Sequence, residues 1–395
     1  MAIFRFIIII IPFISYPYLI RVVGSENFGL VVYALSITAF FKVCVKFGLE
    51  IPAIKFVAES ASNKSELSKI VSTILILQLL FFVIGILILT LLIFIFSQFK
   101  EIQYILYFSY FFILCEILSC LFLFQGLEKM KYAVISNAIS GIFGLVLIFI
   151  FIQSESDYIY IPILQTTSLL VGASYSLWIV FFKEGLVFKL PSKIDCKKYL
   201  KESFPFLVSR FGLVFNSEIS ILLLANSVSM QYVAYYDLIK KIIVALRTPS
   251  SIITQAMYPY IAKTKDKILA KNIFYIGILV SLLLIGFVYA YGDHIVILLG
   301  GESMRPAIGP LTLYSCILFF TFISYYSGST LLVSFGHSDK FNSSIILSLI
   351  VNLTLTTMLY VTNNINFENI IALVVIIEAY VAFYRVYFCK KYQIL

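Results

Sequence analysis

Apolar stretches of eighteen residues or more recur from the start of the sequence to its end, and they constrain the chain more than any motif does. In a lipid core each backbone amide and carbonyl must be satisfied within the chain, so stretches of this kind fold as membrane-spanning helices. With 61% hydrophobic and 12% charged residues, against about 25% charged in an ordinary soluble domain, a soluble protein is excluded. Residues 1–20 place Arg5 before an isoleucine run but lack an A-x-A-like cleavage site, so they read as a first span rather than a signal peptide. Twelve spans are expected, at 3–20, 28–48, 70–96, 102–125, 132–152, 158–182, 204–224, 231–258, 273–292, 308–334, 341–362 and 367–389.

The loops between these spans alternate in charge. One set carries eighteen lysines; the other holds only Arg21, Lys100 and Arg305. The positive-inside rule then places both termini in the cytoplasm and supports an even number of spans. The net charge of +9 therefore reads as loops facing an anionic leaflet, not as a nucleic-acid surface. Residues 49–69 read as an amphipathic surface helix followed by a turn at Ser62 and Asn63. The longest cytoplasmic loop, 183–203, divides the chain into six spans in 1–182 and six in 204–395. At an offset of 205 residues Arg5 meets Arg210 and Lys42 meets Arg247. Two basic pairs at one offset, inside apolar spans, point to a parallel repeat: two six-helix bundles around a central cavity.

The stretch 232–259, which holds nearly all of the eighth span, is long enough to cross a bilayer yet carries Asp237, Lys240, Lys241 and Arg247. An ionised side chain near the bilayer centre costs roughly 2.5–3.5 kcal/mol on an insertion scale, so three cations oppose insertion by up to about 10 kcal/mol. Such a helix is tolerated when its charges meet water or partners inside a bundle, and a cavity lined this way suits an anionic cargo. Lys240 and Lys241 lie too deep for comfortable snorkelling, and Asp237 is spaced to pair with either one. Arg247 follows Lys240 by seven residues and shares its face. In the second span Lys42 and Lys46 are spaced i, i+4. Arg210 and Arg5 sit near the expected cytoplasmic ends of their spans, where an arginine can take a phosphate in bidentate fashion or simply reach the interface. Glu116, Glu218 and Glu378 are acids within spans, and Glu218 lies two turns beyond Arg210. Arg385 and Arg305 read as interfacial anchors, Tyr235 and Tyr236 as packing or sugar-stacking residues, and Gly141 and Gly144 as sites of close helix contact.

Several landmarks occur in order along the chain: PYLIRVVGSENFG at 17–29, FGL at 47–49, FQGLEKMKY at 124–132, YYDLIKK at 235–241 and QAMYP at 255–259. Together they resemble the Wzx-type O-antigen and polysaccharide repeat-unit flippases of the multidrug/oligosaccharidyl-lipid/polysaccharide exporter superfamily. Val233 and Ala234 stand where a glycine is usual in that family. The resemblance implies a bacterial inner-membrane protein that flips an undecaprenyl-diphosphate-linked oligosaccharide from the cytoplasmic to the periplasmic leaflet by alternating access. It further implies contact with membrane lipids, H+ or Na+ coupling and contact with polymerase machinery. In such a bundle helices one, two, seven and eight line the cavity, and they are the helices that bear the cations. The substrate-binding set expected is Lys240, Lys241, Arg247, Lys42, Arg210, Lys46 and Arg5, and the coupling set Asp237, Glu218 and Glu116.

Other classes fit less well. A multidrug exporter of the same superfamily moves organic cations and wants acidic or aromatic walls. A polysaccharide polymerase needs a large periplasmic loop, whereas the longest here, 293–307, has one arginine and no paired carboxylates. A peptidoglycan-precursor flippase usually has fourteen spans. No phosphate-binding glycine loop is present, which argues against ATP hydrolysis, and six cysteines and two histidines without ligand spacing argue against a metal. The expectation is a transporter without catalytic residues or cofactors.

Overall fold

The computed structural model describes the backbone of residues 2–395 and the side chains from Ile11 onward. The described residues form helices and turns with no strand. They fall into two compact units, Met1–Leu222 and Leu223–Leu395. The first contains α1 (Ala2–Val23), α2 (Ser25–Lys46), α3 (Glu50–Glu59), α4 (Lys64–Ile95), α5 (Ser97–Glu101), α6 (Gln103–Leu118), α7 (Leu121–Gly126), α8 (Lys131–Phe151) and α9 (Tyr160–Trp178). Most of α10 (Lys193–Ser227) also belongs to it. The second contains α11 (Met230–Thr264), α12 (Lys267–Gly300), α13 (Ile308–Ser315), α14 (Ile317–Tyr325), α15 (Ser338–Val361) and α16 (Phe367–Lys391). Short π-helical runs, Ile179–Lys183 and Tyr326–Val333, extend α9 and α14.

Each of the twelve expected spans coincides with a helix or a run of helices. Among the described residues ten of these are long and apolar enough to cross a membrane, and the described part of α1, Ile11–Val23, is a shorter apolar helix. The remaining one, α11, is the helix that carries the four charges. This is an all-α, multi-pass membrane protein. The helices overrun their apolar windows. At 35 residues α10 is about 52 Å long at 1.5 Å per residue, against a hydrocarbon core of about 30 Å. Its first ten residues are a charged extension outside any apolar window, so the segment 183–203, expected to be a loop throughout, is helical from Lys193 onward.

The corner between α2 and α3 follows from local sequence. Phe47 closes α2 in the left-handed conformation (φ 49°), and Gly48 follows at φ 68°. A side chain at Gly48 would strike the Leu207 amide nitrogen at 2.8 Å and Phe206 Cβ at 2.9 Å, so glycine lets α10 pack against this corner. Phe56 against Tyr199 (centroids 5.1 Å) and Lys69 to Asp195 (3.0 Å) hold the start of α10 in the same unit. The amphipathic helix read from 49–69 is α3, and the turn ends at Asn63, whose side chain caps α4 by accepting from the amides of Ser65 and Glu66. The chain between α9 and α10 lies along α4: Val187 and Lys189 donate their amides to Ser68 Oγ (3.0 Å) and Ser72 Oγ (2.9 Å).

Small residues set the α8–α9 seam. Ser136 Oγ donates to the Gly172 carbonyl at 2.7 Å, and a Cβ at Gly172 would strike Ser140 Oγ. Gly144 abuts Ser168 of α9 and Gly141 abuts Ile11 of α1, in keeping with close helix contact at both positions.

Gly48→Ala combines left-handed strain with a backbone clash and is expected to destabilise by about 2 kcal/mol or more. Gly286→Ala, where an added Cβ meets nothing within 4 Å, is expected to be neutral or stabilising. Thermal unfolding of detergent-solubilised protein followed by size-exclusion chromatography compares the two; equal midpoints would contradict this account of the corner.

Candidate functional site

In the first unit the charges of α2, α3 and α6 meet. Lys42 Nζ lies 2.7 Å from Glu116 Oε1, and Lys46 Nζ lies 2.7 Å from Glu116 Oε2 and 2.8 Å from Glu50 Oε1. The i, i+4 step from Lys42 to Lys46 puts both ammonium groups on one face, where a single carboxylate accepts from each. Glu50 joins because the turn at Phe47 and Gly48 starts α3 within reach of Lys46. The two lysines differ: the Lys46 side chain is 16% exposed, whereas Lys42 is 40% exposed and lies over the Phe112 ring at 6.0 Å. Lys46 and Glu116 line a cavity of about 240 Å³ together with Ser119 of the α6–α7 turn and Ser136, Asn137 and Ser140 of α8. The ion-pair cluster beside it counts two cations, Lys42 and Lys46, and two acids, Glu50 and Glu116.

In the second unit, Asp237 pairs with Lys241 at 2.6 Å, one helical turn apart. Lys240 is partly buried and also engaged. Tyr235 and Tyr236 are 3% and 2% exposed. The Tyr235 hydroxyl donates to the Ser303 carbonyl at 3.1 Å, and the Tyr236 ring meets Tyr314 edge-on at 6.0 Å. Of the two roles expected for these tyrosines, packing is the one they fill; they present no face to a sugar.

Arg247, at the middle of α11, lines a cavity of about 340 Å³ with Thr248, Ser251, Thr254 and Gln255 of the same helix, and with Tyr325 and Ser329. Behind it is a polar cluster that spacing alone did not reveal. Arg385 is 5% exposed and donates from Nη1 to the Ser324 carbonyl (2.7 Å) and from Nε to Ser344 Oγ (2.8 Å), with its guanidinium 4.6 Å from the Phe341 ring. Glu378 accepts from Ser324 Oγ at 3.5 Å and lies within electrostatic reach of both Arg385 and Arg247. The anchor role expected for Arg385 is corrected. Its helix turns the side chain into the unit, where the backbone carbonyl at the edge of a π-helical run needs a donor. Arg305, by contrast, is exposed beside Glu302.

The other expected residues are dispersed. The Arg5 side chain lies outside the described residues. Arg210 is exposed on α10 and makes no ion pair with Glu218, which accepts from Ser217 Oγ at 2.9 Å. Among the described residues no group of three His, Cys, Asp or Glu side chains is arranged to hold a metal ion.

The family description "Polysaccharide biosynthesis protein" matches residues 1–265, about two thirds of the chain, and ends just past α11. The chain belongs to that family. The matched region contains all the expected site residues, from Arg5 to Arg247. A relative from Escherichia coli (strain K12), named "Putative O-antigen transporter", is 24% identical over 364 residues, covering 88% of this chain and 86% of its own. A protein of the same name from Shigella dysenteriae is 26% identical over 255 residues, covering 64% and 63%. Among solved structures, an inward-facing multidrug resistance MATE family transporter of the MOP superfamily superposes with a TM-score of 0.76 at 14% identity, covering 100% of this chain and 98% of its own. The lipid II flippase MurJ in an inward closed conformation gives 0.73 at 13% identity, covering 98% and 87%. The fold is that of this transporter class, and the chain is a membrane transporter rather than an enzyme.

Glu116→Ala leaves Lys42 and Lys46 facing each other without their shared carboxylate and is expected to cost about 1–3 kcal/mol. Adding Lys46→Met should recover part of that loss, because it removes the more buried cation. Thermal midpoints of the two variants measure this; a double variant no more stable than Glu116→Ala would contradict the bridging role of the carboxylate.

Proposed function

We propose that this transporter flips an undecaprenyl-diphosphate-linked oligosaccharide, an O-antigen or capsule repeat unit, from the cytoplasmic to the periplasmic leaflet of a bacterial inner membrane by alternating access. Both termini then lie in the cytoplasm, as the lysine-rich loops favour. The functional halves are the six spans of 1–182 and the six of 204–395, joined by 183–203. The observation that carries the proposal is α11: Lys240, Lys241 and Arg247 lie deep in a helix of membrane-spanning length, with Asp237 as the only acid in it. Cations placed so far from water have a purpose if the cargo is a diphosphate or an acidic sugar, and lysine, a mobile point charge, suits a ligand that must be released. The same charges oppose the organic cations a multidrug exporter would carry. The polysaccharide family and the transporter named for O-antigen in Escherichia coli support this reading.

In this proposal Lys42, Lys46, Arg210 and Arg5 assist substrate passage, and H+ or Na+ drives the cycle through Asp237, Glu218 or Glu116. Glu116 has a direct physical route to coupling. A proton arriving there weakens both of its lysine contacts at once and frees Lys42 for an anionic ligand, while Lys46 keeps Glu50.

The test is surface polysaccharide in cells lacking the protein, complemented with wild type or with the Lys240→Ala/Lys241→Ala double variant at matched membrane levels. Wild type should restore the polymer and the double variant should not. Full function of the double variant would make those lysines structural. A wild-type effect on drug tolerance alone would replace the flippase by an exporter.

A further inference from the structure

Arg247 differs from the other span cations of its own unit, Lys240, Lys241 and Arg385, and from Lys42 and Lys46 of α2. Lys42, Lys46, Lys241 and Arg385 each have a partner within 3 Å, and Lys240 is engaged as well. The Arg247 guanidinium makes no hydrogen bond or close ion pair among the described residues, yet it borders the 340 Å³ cavity and a small adjoining one lined by Ser250, Thr321 and Tyr325. Its volume falls within the range of about 300–1,000 Å³ typical of small-molecule sites.

The rest of the wall limits what can occupy it. Thr248, Ser251, Thr254 and Ser329 each donate their hydroxyl hydrogen to a carbonyl three or four residues earlier in their own helix, at 2.8–2.9 Å. Their oxygens therefore face the cavity as acceptors. A wall of acceptors repels phosphate oxygens but takes hydrogen bonds from sugar hydroxyls. Gln255 adds an amide that both donates and accepts. Tyr325, 45% exposed, supplies the aromatic face that the buried Tyr235 and Tyr236 cannot. Arg247, Arg385 and Glu378 leave the cluster with one net positive charge, and Arg385 is already committed to Ser324 and Ser344. One free guanidinium matches one carboxylate.

We propose that this cavity is a sugar subsite for an acidic pyranose, with its carboxylate on Arg247, its hydroxyls on the serine and threonine oxygens and its ring against Tyr325. The inference rests on the flippase reading and names the part of the cargo that the Leu223–Leu395 unit recognises.

The test is saturation-transfer NMR on the full chain in nanodiscs, with glucuronate and glucose as probes. Wild type should transfer to glucuronate in clear excess over glucose. Arg247→Gln should weaken glucuronate binding about tenfold, as loss of a charge-assisted pair implies. Tyr325→Ala should weaken both sugars about threefold or more, while Tyr325→Phe, which keeps the ring, should not. Variants are compared at matched monodispersity and thermal midpoint. Glucuronate binding no stronger than glucose, or unchanged in Arg247→Gln, overturns the subsite. If wild type still restores surface polymer in that case, the flippase stands without it; if wild type restores none, the flippase reading itself has failed.

Discussion

An ionised side chain inside a bilayer must be matched by an opposite charge, a backbone dipole or water, and this requirement organises both units. The match takes three forms. Glu116 stands between Lys42 and Lys46 so that one carboxylate serves two cations. Asp237 and Lys241 solve the problem within one helical turn. Arg385 uses a backbone carbonyl and a hydroxyl with an aromatic ring beneath, close to Glu378. These arrangements stabilise less than their Coulomb energies suggest, because desolvation opposes them, but removing one partner leaves a charge that costs more. The Arg247 guanidinium, with Glu378 only within electrostatic reach, makes no hydrogen bond or close ion pair among the described residues, and the proposed ligand supplies one.

The packing that surrounds these charges depends on small side chains. In the first unit the serine and glycine seam between α8 and α9 brings the helices close while leaving Ser136, Asn137 and Ser140 along the wall of the Lys46–Glu116 cavity. Gly48 performs a related task where α10 meets the α2–α3 corner, and that corner delivers Glu50 to Lys46. At the α8–α9 seam close approach and polar lining come from the same serines, since Ser136 and Ser140 both meet Gly172 and line the cavity.

The sequence disclosed the spans because apolar length is a one-dimensional property; every expected span is occupied by helix, and the Asn63 cap was readable as a turn. It also disclosed the pairs that lie on one helix, Lys42 with Lys46 and Asp237 with Lys241, because i, i+4 spacing implies a shared face. Contacts across helices were not legible. Nothing in the spacing places Glu116 of α6 between two lysines of α2, or turns Arg385 inward instead of toward an interface. Gln255 and Ser251 follow Arg247 on its own helix face and could have been found there. Tyr325 and Ser329, some eighty residues further on, reach the same cavity only through the packing of α14 and its π-helical extension against α11.

The most direct measurement of the central claim is leaflet transfer by the purified protein. Undecaprenyl-diphosphate-linked oligosaccharide is placed in proteoliposomes, and the fraction exposed to an impermeant sugar-oxidising or sugar-binding reagent is followed over time. Exposure that depends on the protein, and that falls when the mid-membrane cations of α11 are neutralised, is the predicted result. Exposure no faster than in protein-free liposomes, with an imposed proton or sodium gradient of either sign, would contradict it.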